Sequence, residues 1–349
     1  MYRNLGELIS KNAKLYPDRK HIYHYDKQYT FAETDKIVNR TAAVLASYGV
    51  KKGDKVAMLV GNSPEYMFAY FSIVRLGAVA VPQNIFLKAK EIYLNLNDCW
   101  ADYFISTEAF APVVKEVVDM VPSIKKVFAF EGTSFNSINI HTARVKDELP
   151  EIEEIDRDEL AVLIYTSGTT GRAKGVMLTH ANLLANARQF KIAVDLNEND
   201  IAVAVLPIFH AYAFMTCIIG PLAVGGGVVI FESVQDVGKE SYTKAIMTYK
   251  PTILIAVPQL YSALARRKLT KEEQNALPFR LYISGGAPLP MDTILAFKES
   301  YGQDILEGYG LSEASPIAAI NPIGATKPGT IGLVFPEMEC KIIDDNGKE

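Results

Sequence analysis

Four hydroxyls, three glycines and a lysine sit within ten consecutive residues: Thr166-Ser167-Gly168-Thr169-Thr170-Gly171-Arg172-Ala173-Lys174-Gly175. Hydroxyls donate hydrogen bonds, glycines let backbone N–H groups approach an anion closely, and Lys174 adds a point charge. A polyphosphate is the expected guest. Leu160 to Tyr165 precede this stretch as an apolar run and Val176, Met177 and Leu178 follow it, so it reads as a turn between two strands. A Walker-type loop is excluded by spacing, since that motif places G-x-x-x-x-G-K-[ST] between a strand and a helix. Here only two residues separate Gly168 from Gly171, and Gly175 follows Lys174. The next helix begins near Thr179, an N-cap residue, with Leu183, Leu184, Ala187 and Phe190 on one face. An ordinary Gly/Thr hairpin is the plain alternative, but ordinary turns seldom gather so many hydroxyls beside a lysine.

Three later segments carry polar groups next to strand patterns. Ser284-Gly285-Gly286-Ala287-Pro288 follows the strand Arg280 to Ile283, and small residues there leave room for a planar ligand. Glu307-Gly308-Tyr309-Gly310-Leu311-Ser312-Glu313 follows the strand pattern Asp304 to Leu306. His210 ends Leu206-Pro207-Ile208-Phe209-His210. Taken singly, each has a plain reading: a turn, a packed tyrosine, a solvated acid, a hydrogen-bonded core histidine.

Taken together and in this order, they resemble the adenylate-forming superfamily of acyl-CoA synthetases, luciferases and peptide-synthetase adenylation domains. The resemblance covers essentially the whole chain. It departs mildly at Ala173, where the acyl-CoA form usually has Pro, and at Ser312, where Thr is usual. What it implies is ATP-dependent activation of a carboxylic acid to an acyl-adenylate, followed by thioester formation with CoA. ATP, Mg2+ and CoA are the expected cofactors and cosubstrates. By the same resemblance Thr166, Ser167, Gly168, Thr169, Thr170, Gly171 and Lys174 grip the β- and γ-phosphates. Tyr309 faces adenine across from Gly286 and Ala287, Ser312 bonds a phosphate oxygen, and Glu313 is the magnesium ligand. His210 lies between the acyl pocket and the α-phosphate, and it forms with Lys174 the expected catalytic pair. His180 is read only as a residue at a helix start.

The resemblance places the acyl pocket around His210 to Thr216, Val257 to Tyr261 and Ser284 to Ala287. An amino-acid substrate would require a buried carboxylate for its ammonium group, and these segments have none. An aliphatic or aryl acid is therefore expected, and a glycine-lined opening favours a medium- or long-chain fatty acid. Acyl transfer to a carrier protein, or nucleotide and acyl binding without catalysis, remain as alternatives. Chain length and oligomeric state, including a homodimer, stay open.

The elements that must position these residues alternate as strand and helix. Lys55 to Val60, Ala78 to Val81, Asp102 to Ile105 and Val127 to Phe130 are strands with helices between them. The alternation resumes after the loop with Thr252 to Val257 and Arg280 to Ile283. His21 to Phe31 reads as a hairpin turning at Asp26-Lys27, and Glu131 to Glu159 as an acidic surface connection. The expected class is α/β, with two mostly parallel sheets flanked by helices. Two interleaved subdomains are expected, 45–195 and 1–44 plus 196–322. Residues 323–349 resemble the family's entry into a small β-barrel, with its mobile C-terminal domain not represented, so the chain alone is expected to adenylate poorly.

At 349 residues and 49% hydrophobic, the chain has material for more than one core. A net charge of −4 gives no reason to expect nucleic acid. Cys99, Cys217 and Cys340 lie far apart, which suits a reducing cytoplasm better than a disulfide or zinc framework. Met1 to Ser10 lacks a signal-peptide core. No Asp, Glu, Lys or Arg occurs from Ile201 to Phe231, but Pro207, Pro221 and Gly225-Gly226-Gly227 divide that stretch. It is read as two buried parallel strands joined by a buried helix rather than a membrane span.

Overall fold

Strands buried on both faces dictate the architecture. Val79–Pro82, Tyr103–Ser106, Gly227–Ile230, Ile253–Ala256 and Leu281–Ser284 have no exposed residue. Such strands need helices above and below, the arrangement of a parallel α/β sheet. The computed structural model describes residues 2–132, 136–145, 149, 151, 153–166 and 173–349.

Among these residues the strands form two sheets. The larger runs in spatial order Leu333–Val334, Ile317–Ile320, Ile305–Gly310, Leu281–Ser284, Ile253–Ala256, Ile201–Ala204, Gly227–Ile230, Lys20–His24, Lys27–Thr30. The five strands from Ile305–Gly310 to Gly227–Ile230, together with Lys20–His24, are linked by parallel pairings, and antiparallel pairs occur only towards its two edges. The smaller runs Ile138–Asn139, Lys126–Ala129, Tyr103–Ser106, Lys55–Leu59, Val79–Pro82, Leu160–Thr166, Lys174–Thr179, with only the last pair antiparallel. The mostly parallel α/β class expected from the alternation is thus present.

Period-two alternation sends residues of the smaller sheet into separate cores. Val56 and Met58 join the large cluster shared with the other sheet, while Ala57 and Leu59 pack with Val114 and Val117 on the opposite face. Between the sheets runs the helix Pro64–Arg75, buried at every position except Glu65. The helices Phe31–Ser47 and His180–Val194 each start at a threonine whose hydroxyl accepts the N3 amide, Thr30 from Glu33 and Thr179 from Asn182.

The charge-free stretch forms the neighbouring parallel strands Ile201–Ala204 and Gly227–Ile230. A buried helical passage joins them, with a π-helical segment at Phe214–Ile219. No helix of the described residues is long and apolar enough to cross a membrane. Two segments differ from expectation. In the 131–159 connection, Ile138–Asn139 adds a short parallel strand beside Lys126–Ala129, because Phe130 and Ile140 are drawn into the core there. Residues 323–349 make no closed barrel among the described residues. Leu333–Val334 extends the large sheet instead, anchored by buried Phe335, and the rest is exposed turn.

At the amino ends of three adjacent parallel strands, Asp200 is 2% exposed and accepts four hydrogen bonds. Arg280 donates two, from Nε (2.7 Å) and Nη2 (2.6 Å), Thr252 Oγ1 one (2.7 Å) and the Asn197 amide one (2.9 Å). Burial raises the carboxyl pKa, but these donors outweigh burial and hold it below the ordinary value. The stabilisation is present above the unfolded carboxyl value near pH 4 and is lost as pH falls through the lower folded value. Asp200→Asn should cost on the order of 3 kcal/mol at neutral pH. Urea melts over a pH series should show that the variant has lost part of the wild type's acid limb.

Candidate functional site

Ligands in open parallel sheets bind beyond the carboxyl ends of the strands. In this chain the carboxyl ends of both sheets open onto two adjoining cavities. The larger, about 650 Å3, is lined by Pro82 and Asn84 after one strand, Ile164, Tyr165 and Thr166 at the end of another, and Ala173, Phe209, His210 and Ser312. The smaller, about 70 Å3, is lined by Tyr212, Thr216, Ile283, Gly285, Gly286 and Tyr309, among others. His210 and Ser312 line both.

Thr166 ends its strand directly opposite Lys174, which begins the next. The root of this pair is held by Tyr165, whose hydroxyl donates to Asp98 Oδ2 at 2.6 Å. Burial, then that bond to a carboxylate, pushes the Tyr165 pKa far up. Gly175 leaves the space its ring needs, since a Cβ there would stand 3.2 Å from Tyr165 Cζ. The expected phosphate contacts Ser167, Gly168, Thr169, Thr170 and Gly171 lie outside the described residues. Lys174 is exposed beside the larger cavity without lining it.

Gly286 and Tyr309 share the smaller cavity, with Tyr309 half exposed. Gly286 has φ +86°, a conformation that a side chain would strain. Ala287 is exposed and does not line the cavity, so of the expected Gly286–Ala287 wall only the glycine takes part. Glu313 is exposed on the turn Ser312–Ala314, which packs against the strand Lys174–Thr179. Lys174 and Glu313 therefore come to one side of the site. No group of three His, Cys, Asp or Glu is gathered among the described residues. One hard carboxylate at the cavity edge suits a magnesium ion, which keeps most of its ligands as water and phosphate oxygen.

His210 precedes the first helical residues after the strand Ile201–Ala204, and its carbonyl accepts from the Phe214 amide at 3.0 Å. Its ring meets the solvent of the cavities, yet the protein around it displaces enough hydration to hold its pKa below the ordinary imidazole value. His180 faces away, with Nδ1 accepting the Leu5 amide at 3.2 Å in the core, so it is a packing residue as expected.

Two contributors carry no sequence motif. Asn186, buried on the helix His180–Val194, accepts from the Ile317 amide (3.1 Å) and donates to its carbonyl (2.8 Å). It ties the helix after the phosphate segment to the strand after Glu313. Tyr212 fills the space that Gly285 leaves: a Cβ on Gly285 would stand 3.0 Å from Tyr212 Cζ. The open, glycine-lined acyl pocket expected from sequence is thus narrowed by an aromatic ring. A tyrosine two residues after the histidine was the available signal, but sequence does not say where its ring points.

The sequence profile of the AMP-binding enzyme family matches residues 9–349. A long-chain-fatty-acid–CoA ligase of Salmonella typhimurium is 31% identical over 385 aligned positions, covering 100% of this chain and 67% of that protein. A feruloyl-CoA synthase of an Amycolatopsis species is 32% identical, covering 90% of this chain and 60% of that protein. Among solved structures, an anthranilate CoA ligase in complex with anthranoyl-AMP superposes with a TM-score of 0.89 at 28% identity, covering 99% of this chain and 66% of that one. The chain spans about two thirds of the length of such relatives.

Gly310 tests whether the Tyr309–Glu313 segment is one functional unit. A Cβ at this position would collide with the Pro316 carbonyl oxygen, which accepts the Leu311 amide at 2.9 Å and closes the turn bearing Ser312 and Glu313. Gly310→Ala should cost about 2 kcal/mol through forced backbone displacement. It should also weaken ATP binding about tenfold or more, read by calorimetry on the folded variant.

Proposed function

We propose, since this chain belongs to the AMP-binding enzyme family, that it joins a carboxylic acid to ATP and passes the acyl group to CoA. A carboxylate oxygen attacks the α-phosphorus, the α–β anhydride bond breaks, and pyrophosphate leaves. The CoA thiolate then attacks the acyl carbonyl carbon and AMP departs. The observation carrying this reading is that His210 and Ser312 line both cavities. Phosphates held on the larger side, and adenine and an acyl group held on the smaller, would meet at those two residues.

In this reading Thr166 to Lys174 holds the β- and γ-phosphates, and Tyr309 with Gly286 holds adenine. Ser312 donates to a phosphate oxygen, and His210 orients the carboxylate for in-line attack. Magnesium, when bound, draws charge off the phosphate oxygens, and Glu313 is the donor this chain offers it. Both reactants are anions, so Lys174 and preorganised donors must offset the charge that builds up as they meet. Cys99, Cys217 and Cys340 form no disulfide, and we assign the protein to the cytoplasm on that chemistry.

The smaller cavity has Phe190, Ile283, Ile317 and Ile320 in its wall and no Asp, Glu, Lys or Arg. Past the adenine face at Gly286 and Tyr309, that wall favours an apolar acyl group, and the fatty-acid reading stands with Tyr212 as its gate. At about 70 Å3 the cavity falls well short of ordinary ligand pockets, so a long chain enters only when that ring turns aside.

Acid-dependent ATP–pyrophosphate exchange across acids of graded length, followed by acyl-CoA and AMP analysis, tests the activity on the chain joined to the C-terminal third that its relatives carry. His210→Ala should slow exchange by roughly 100-fold while ATP affinity is held. If the chain bound neither ATP nor an acyl-sulfamoyl-adenosine, the reading would end. Tyr212→Ala should move kcat/KM towards longer acids by about 10-fold, the worth of a methylene or two in an apolar pocket. An unchanged length profile would place the chain along another path.

A further inference from the structure

Asn62 sits in the loop between the strand Lys55–Leu59 and the helix Pro64–Arg75, at the carboxyl end of the smaller sheet, and is 6% exposed. Its side chain reaches across to the larger sheet. Nδ2 donates to the Leu206 carbonyl at 2.8 Å and the Phe231 carbonyl at 3.1 Å, and Oδ1 accepts from the Ile208 amide at 2.9 Å. Leu206 and Phe231 follow adjacent parallel strands, so one amide gathers two strand ends of one sheet onto a loop of the other. It holds both sides of Pro207, whose carbonyl accepts the His210 amide at 3.1 Å.

We propose that Asn62 is the positioning residue for His210, fixing from the opposite sheet the turn that aims the imidazole at the boundary between the two cavities. The inference rests on the activity assigned to that boundary above. A functional imidazole is usually oriented by a hydrogen bond to its second ring nitrogen. Among the described residues no group hydrogen-bonds the His210 ring, so its place follows from its backbone. That backbone is held between the Asn62 contacts on one side and the helical turn closed by Phe214 on the other. Both donor hydrogens of Asn62 and one acceptor site are used, so no shorter or apolar side chain reproduces the link. The adenine side of the site, at Gly286 and Tyr309, has no contact with this amide and should not respond to its loss.

The test compares Asn62→Ser with wild type by histidine ring NMR and by kinetics. The His210 resonance, assigned by its disappearance in His210→Ala, should shift or broaden, while those of His21, His141 and His180 stay in place. In acid-dependent exchange kcat should fall by roughly 100-fold with the ATP dissociation constant held within about twofold. Asn62→Asp, which keeps the shape and the acceptor but not both donors, serves as the second variant and should show the same split if serine does not fold. An unmoved His210 resonance in a folded variant overturns the proposal, as does ATP affinity falling in step with exchange. Absence of exchange and ATP binding in wild type would remove the assigned activity, whereas the NMR comparison still decides whether Asn62 places the ring.

Discussion

Where a parallel strand stops, its last carbonyls and amides lose their ladder partners, and buried ones must be satisfied by something else. Asn62 does this at two parallel strand ends, and elsewhere the chain repeatedly uses asparagine side chains to satisfy buried backbone groups of helices, loops and an antiparallel strand. Asn62 bonds Leu206, Ile208 and Phe231; Asn186 bonds both backbone groups of Ile317. Asn321 accepts from the Lys327 amide and donates to the Glu307 and Thr330 carbonyls. Asn12 donates to the Leu8 and Leu222 carbonyls. Apolar side chains could fill these seams but could not pair the groups in them, and each orphaned donor or acceptor would cost about 1–3 kcal/mol. The seams between sheets and loops are therefore polar and fixed, and the cavities sit among them.

The two ends of the larger sheet are built for different purposes. At the amino ends, Asp200, Arg280 and Thr252 form a closed hydrogen-bonded network. At the carboxyl ends the sequence gives way to glycine: Gly285 admits Tyr212, Gly286 takes a positive φ, and Gly310 clears the Pro316 carbonyl. Glu307, partly buried two residues before Tyr309 on the same strand, has a pKa raised by burial and only partly offset by the Gly329 amide at 2.8 Å. A carboxylate with one donor among these groups contrasts with Asp200 and its four. Stability is concentrated where nothing needs to bind, as expected when functional sites give up packing.

The alternation of strands and helices was legible because buried strands are short apolar runs and the helices between them carry caps such as Thr30 and Thr179. Partner choice was not. Lys20–His24 pairs with Gly227–Ile230, about two hundred positions away, and local pattern holds no record of that register. Gly286, Tyr309, His210 and Ser312 could be singled out because the segments holding them, in this order, resemble those of the adenylate-forming superfamily. Asn62 could not, since Gly61-Asn62-Ser63-Pro64 has the composition of any helix-entry turn. Tyr212 was obscured in a different way. Small neighbours such as Ala211 and Gly285 imply space, yet packing density requires that something fill it, and only the fold says which ring does.

His210 then has a narrow range of roles. The protein around it holds its pKa below the ordinary imidazole value, which favours the neutral ring. A cation at that point would bind the carboxylate ground state tightly and blunt it as a nucleophile, which slows the step it was meant to help. A neutral ring can instead hold one carboxylate oxygen in line while leaving its charge available for attack. In the proposed reading charge neutralisation falls to Lys174, on the strand that packs against the turn bearing Glu313. Separating orientation from charge compensation in this way requires that the ring not drift towards the lysine. A rigid link from the opposite sheet supplies that constraint without adding a charged partner, and an amide is the side chain that can do so while buried.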